Sequence, residues 1–140
     1  MRIDIVCIGK LKEDYLRAAQ AEYLKRLGPY ARLTVIEVAD EKAMERVLTN
    51  GAFPIALAID GKTLTSEDFA KSIQNMAIDG TSHIAFVIGG AEGLSARILG
   101  LCRASLSLSA MTFPHQLARI IFLEQIYRAF RIINNEPYHK

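Results

Sequence analysis

Two short runs, Pro54–Ile59 and His83–Ile88, constrain the fold of this chain most. Each is apolar at nearly every position. A strand with one face in water alternates apolar and polar side chains. A strand apolar throughout has both faces covered. The stretches between such runs carry a helical period instead. Glu13–Leu27 places Leu16, Ala19, Tyr23 and Leu27 three or four residues apart, and Gly28-Pro29 ends it.

The same reading extends along the chain. Arg2–Ile8 is a strand ending at Gly9, Leu33–Val38 a second strand, and Glu41–Leu48 a short helix. Thr65 caps a helix to about Ile78, with Asp68 placed as in a capping box. After His83–Ile88 come a short helix, Ser95–Cys102, and a strand or extended segment, Ala104–Leu108. Pro114 opens a last helix to about Ile132. Strands alternating with helices predict a parallel α/β sheet with helices on both faces. No linker or repeat interrupts residues 1–140, so one domain is expected.

Composition excludes several classes. No apolar run approaches the roughly 20 residues of a membrane helix, and an acid, Asp4, stands where a signal peptide is apolar. A cytoplasmic protein is expected. Cys7 and Cys102 are far apart and read as buried thiols, without zinc-type spacing, so no metal is expected. Residues 1–96 carry 11 basic and 13 acidic side chains, and residues 97–140 carry 6 basic and 2 acidic. The C-terminal third is where an anionic partner would be drawn, unless the asymmetry is only a solvated surface.

Ligands in open α/β sheets lie beyond the carboxyl ends of the strands. Three segments fall there: Leu57–Gly61, Ile88–Gly93 and Leu108–Pro114. Gly89-Gly90 permits a sharp turn and leaves no Cβ between backbone and ligand. Alone, it reads first as a tight surface turn. The pattern is neither G-x-G-x-x-G nor a Walker motif, so phosphate cradling is unsupported. The 108–115 segment mixes apolar and hydroxyl side chains. It suits either the wall of an apolar pocket or a strand running into a helix start. The last helix shows Phe122, Leu123, Ile126, Tyr127 and Phe130 on a wide face. It is either deeply buried or a dimer interface, and a dimer using this face is expected.

These segments, in this order, resemble the RlmH (YbeA-type) family of ribosomal RNA methyltransferases. The resemblance is carried by Phe86–Leu94, Leu106–His115, Glu124–Phe130 and the ending Glu136–Lys140, with Ile8–Lys12 and Glu22–Leu27 also fitting. The stretch between Asp40 and Phe53 is shorter than in the family, and Ala91 stands where Pro or Ser is frequent.

The resemblance implies a SPOUT fold with a C-terminal trefoil knot, S-adenosylmethionine as methyl donor and a homodimer. It implies methylation at N3 of a pseudouridine in a 23S rRNA stem-loop of the assembled ribosome. Carried over residue by residue, the cofactor contacts are Leu57, Gly89, Gly90, Leu108, Ser109, Ala110, Met111, Thr112 and Phe113.

Pseudouridine N3 carries a proton, so an acceptor is needed. The candidates are His115, Tyr138 and His139, although His115 also fits a plain helix start. Arg119, Arg128 and Arg131 are candidate RNA contacts, with Glu124 a rival partner for Arg128 within the helix. Two other functions compete: a SPOUT enzyme acting on a tRNA base, and a non-catalytic α/β nucleotide-binding module.

Overall fold

The computed structural model describes residues 1–138. Five parallel strands form one sheet in the order β2-β1-β4-β3-β5. In chain order the elements are β1 (Arg2–Ile8), α1 (Asp14–Leu27), β2 (Arg32–Val38), α2 (Glu41–Leu48) and β3 (Phe53–Thr63). Then come α3 (Ser66–Ile78), β4 (His83–Ile88), α4 (Ala96–Leu101), β5 (Ala104–Ser107) and α5 (His115–Ile133).

The all-apolar strands are explained by their position. β1 and β4 are adjacent, and each feeds two cores by alternation. Ile3, Ile5, Cys7, Ile84, Phe86 and Ile88 enter one cluster, with Leu16 and Leu27 of α1, Phe69 and Ile73 of α3, and Phe122, Leu123 and Ile126 of α5. Val6, Ala85 and Val87 point the other way, onto Met44 and Leu48 of α2 and Ile98 of α4. Helices cover both faces from Ile84 to Ile88, so those positions disfavour a polar side chain, while His83 at the strand's start meets Asp4 of β1 at 2.7 Å.

Local chemistry starts the helices where expected. The side chains of Asp40, Thr65 and Ser95 accept from the backbone N–H of Ala43, Asp68 and Ile98. Each satisfies one of the orphan donors of a first turn.

Three differences from the sequence reading matter. First, the apolar face of α5 lies inside the protomer. Phe122, Leu123 and Ile126 are fully buried against α1, α3 and the sheet. Truncating such a phenylalanine to alanine costs about 3–5 kcal/mol. A subunit interface cannot use side chains already sealed in this core. Second, β3 does not end at Ile59. It bulges after Leu57 and resumes at Lys62, both paired with Leu106 of β5. Third, β5 stops at Ser107, because the next residues turn away from the sheet.

Gly61 sits in that bulge, where the β5 backbone comes close. A Cβ on it would lie 2.7 Å from the backbone C and N of Leu106. No side-chain adjustment relieves a clash with backbone. Gly61→Ala is therefore expected to lower the unfolding free energy by about 3 kcal/mol, the upper range for overpacking. Urea denaturation checks this, and an unchanged midpoint would show that the contact has slack.

Candidate functional site

The carboxyl ends of β3, β4 and β5 open onto one cleft. Leu57, Ala58 and Ile59 line it from the bulge, and Ile88, Gly89, Gly90 and Gly93 from the turn after β4. Ser107, Leu108, Ser109, Met111, Thr112 and Phe113 line it from the segment after β5, and His115 and Ala118 from α5. The three segments singled out in the sequence meet here. Of the nine expected cofactor contacts, only Ala110 does not face the cleft. An adjoining hollow shares Ser107, Leu108 and Phe113 and is closed by Phe69, Phe122 and Gln125. A larger hollow along α3 and the β5 edge lies away from the strand ends. Position at the strand ends, not size, singles out the first.

The glycine turn works differently from expectation. A Cβ on Gly89 would lie 2.5 Å from the backbone C and O of Gly93. The space beside Gly89 is filled by the turn itself rather than kept open for a ligand. Gly93 takes the left-handed conformation (φ 77°) and donates its N–H to the Gly90 carbonyl at 3.0 Å. A Cβ on Gly93 would meet nothing within 4 Å, so its backbone conformation alone calls for glycine, whereas Gly90 has ordinary room, with the Ile8 side chain at 3.7 Å from its would-be Cβ.

The segment after β5 is braced by its own hydroxyls. Ser107 Oγ donates to the Ser109 carbonyl (3.1 Å), and the Met111 N–H donates to Ser109 Oγ (3.0 Å). The brace leaves Met111 76% exposed, and across the cleft Ile59 is 56% exposed. Two large apolar side chains lining one concavity suit a partly apolar ligand.

The candidate proton acceptors separate. His115 is half-buried and lines the cleft. Tyr138 lies elsewhere, packed edge-on against Tyr127 with its ring 4.3 Å from the Arg128 guanidinium. Its hydroxyl donates to Glu124 Oε1 at 2.7 Å. Glu124 is about 13 Å along the helix from His115, at 1.5 Å per residue. Desolvation and the bond to Glu124 push the Tyr138 phenol up to about 12. Held so, it is a hydrogen-bond donor and not a base. His139 lies outside the described residues.

The three arginines do not form a free cationic patch. Arg119, expected to touch RNA, is only 2% exposed. It donates to Glu37 Oε2 (2.7 Å), the Gly9 carbonyl (3.0 Å) and Gln20 Oε1 (3.4 Å). Its role is to tie α5 to the sheet edge. Arg128 pairs with Glu124 at 2.7 Å, the in-helix alternative. Arg131 holds the tail, donating to Tyr30 Oη (3.1 Å), Glu136 Oε2 (2.9 Å) and the Pro137 carbonyl. Burial pushes the Cys7 thiol up to about 12, so it is inert. Among the described residues, no group of three or more His, Cys, Asp or Glu side chains is placed to hold a metal. No described helix is long and apolar enough to cross a membrane.

Sequence reasoning missed Gln116. Its Oε1 accepts from the Lys12 N–H (3.0 Å), and its Nε2 donates to the Lys10 carbonyl (3.3 Å). Nothing in its spacing signals a partner more than 100 positions away.

A parallel sheet with a strand-end cleft of this kind is the architecture of the SPOUT methyltransferases. The probable methylase family protein of Haemophilus influenzae Rd KW20 superposes with a TM-score of 0.61 at 15% identity, over 99% of this chain and 70% of its own. The SpoU methyltransferase AviRb of Streptomyces viridochromogenes, solved in complex with the cofactor AdoMet, gives 0.52 at 16%, over 96% and 61%. At these identities the likeness concerns the fold.

Sequence carries the assignment further. The family model described as "Predicted SPOUT methyltransferase" matches residues 1–139. The "Ribosomal RNA large subunit methyltransferase H" of Bifidobacterium animalis subsp. lactis is 52% identical over the whole of both chains. That alignment spans 159 positions against 140 residues here, in keeping with a shortened chain. The chain belongs to the SPOUT methyltransferase family.

Two predictions follow from the geometry. Gly89→Ala is expected to destabilise the fold by about 2–3 kcal/mol through overpacking, whereas Gly90→Ala melts like the wild type; equal melting of the two removes the distinction. Tyr138 is expected to ionise near 12, not near 10, read as the ultraviolet phenolate difference between wild type and Tyr138→Phe. Because the folded value is raised, Tyr138 adds stability below pH 10 that is lost as pH climbs towards 12. A midpoint at 10 would place the ring in solvent.

Proposed function

We propose that this protein uses S-adenosylmethionine to methylate N3 of a pseudouridine in a 23S rRNA stem-loop. The observation that carries the reading is the convergence of the three strand-end segments on one cleft that leaves Met111 and Ile59 exposed. The name of the Bifidobacterium relative, shared over full length, supports the substrate class.

Bound S-adenosylmethionine supplies an electrophilic methyl group on its sulfonium. The protein's own part is positioning and desolvation. Leu57, Leu108, Met111 and Phe113 form apolar walls, and the braced 107–113 backbone offers fixed polar groups between them. His115 is the acceptor for the N3 proton, since it alone of the described candidates lines the cleft. Unstacking a base costs least in a loop, which favours such a target.

The remaining expectations belong to the same reading. Residues 1–140 act as one catalytic domain in the cytoplasm. Membership of the SPOUT family supports the trefoil threading. We infer a homodimer in which Tyr138, remote from its own cleft, and His139 serve the site of the other subunit. The modest net charge, +2, favours a folded ribosomal surface docked by shape over a bare RNA fragment.

Mass mapping of large-subunit rRNA from a strain lacking the protein tests the function. One pseudouridine is expected to lack a methyl group. A normal rRNA map with a changed tRNA map points to the tRNA alternative. Calorimetry without detectable S-adenosylmethionine binding leaves only a non-catalytic module. Methylation of an isolated loop as fast as that of ribosomes would sink the shape-docking reading.

A further inference from the structure

The loop joining β1 to α1 is held more tightly than its surface position requires. Its backbone is gripped at five successive points. The Gly9 N–H donates to the Val38 carbonyl at 2.9 Å. The Gly9 carbonyl accepts from buried Arg119 at 3.0 Å, and the Lys10 carbonyl from Gln116 at 3.3 Å. The Leu11 carbonyl accepts from Arg17 at 2.8 Å, and the Lys12 N–H donates to Gln116 at 3.0 Å. Leu11 is buried beneath the loop. Surface connections ordinarily lean on water for such groups.

What this scaffold presents is two cations. Lys10 and Lys12 are both exposed, and neither enters an ion pair among the described residues. By contrast, Arg119, Arg128 and Arg131 are all engaged within the chain. The loop also borders the cleft. Gln116 follows His115 in α5, and Ile8, the last residue of β1, touches the space at Gly90. Tyr15, three residues beyond Lys12, is 68% exposed.

We propose that Lys10 and Lys12 form a preorganised phosphate clamp that grips the RNA backbone flanking the target base. Lysine ammonium groups bind phosphodiesters as point charges, and fixing the backbone that carries them lowers the loop-ordering cost of binding. An exposed tyrosine in the first turn of α1, three residues after Lys12, suits unstacked RNA bases better than an acidic protein surface. Gln116 is a positioning residue: it sets the clamp without touching the substrate. The inference rests on the RNA-methyltransferase reading above.

The test uses the full-length protein, assembled ribosomes lacking the modification, and labelled S-adenosylmethionine. Lys10→Gln/Lys12→Gln is expected to raise the KM for ribosomes about tenfold, as phosphate contacts set affinity. Its kcat and its calorimetric affinity for S-adenosylmethionine stay at wild-type values. The slope of log KM against log salt becomes shallower by about 2, one per lost phosphate contact. Lys10→Arg/Lys12→Arg restores the slope. Gln116→Ala raises KM with both charges present.

A double variant with wild-type KM and salt slope overturns the clamp while leaving the function intact. A wild type that binds S-adenosylmethionine but methylates no ribosome overturns both. Loss of S-adenosylmethionine affinity in the double variant also overturns the clamp, since the lysines would then belong to the cofactor.

Discussion

A single buried guanidinium holds the working end of this protein together. Arg119 reaches from α5 to the ends of β1 and β2 and to α1, through Gly9, Glu37 and Gln20. Burying a charge is costly unless it is paired and its donors are satisfied. Here the carboxylate of Glu37 and two neutral oxygens meet that condition. Removing Glu37 leaves the buried guanidinium uncompensated, which typically costs several kcal/mol, whereas Glu37 itself is 31% exposed and can turn to water. The interaction also fixes distances. The start of α5 carries His115 into the cleft, and the same helix, one turn on, sets the loop that carries Lys10 and Lys12. Candidate cofactor cleft and candidate RNA grip are therefore registered to one another by a side chain that lines neither.

The cleft depends on a division of labour among small residues. Gly89, Gly90 and Gly93 let a turn fold onto itself beside β4, and Ser107 and Ser109 stiffen the segment opposite. Between these rigid walls the apolar side chains of Ile59 and Met111 are left uncovered. A methyl donor with a flat adenine ring and a charged amino-acid end suits a site that pairs apolar walls with fixed backbone groups, because the protein need not reorganise to receive it.

How much of this was legible in sequence depended on the range of the signal. β4 was read correctly because burial on both faces is written into five consecutive residues, 84–88. The caps at Asp40, Thr65 and Ser95 are local too. The far half of β3 was not legible, because Asp60-Gly61 carries the composition of a turn and pairing with Leu106 is decided 45 positions away. The apolar face of α5 was visible, but the pattern alone cannot tell a core from an interface. Only the packing of Phe122 and Ile126 against α1 and α3 decides it. Arg119 failed for the same reason in reverse. Arginine is normally a surface residue, and its three partners lie 82 to 110 positions away. The cleft segments were found because the strand-end rule and the resemblance coincided on them.

The close approach of β5 to Gly61 bears on how the chain reaches this structure. The bulge and the strand that passes it are far apart in sequence, and neither has a shape without the other. A contact of that kind repays its loop-closure entropy only late, after much of the sheet is ordered. Folding should therefore be slower than the helix content suggests, and the last segment to find its place is the one that completes the cleft. A chain released before that step holds a nearly whole hydrophobic core and no ligand site. Ligand binding thus reports on completion of the fold as well as on chemistry.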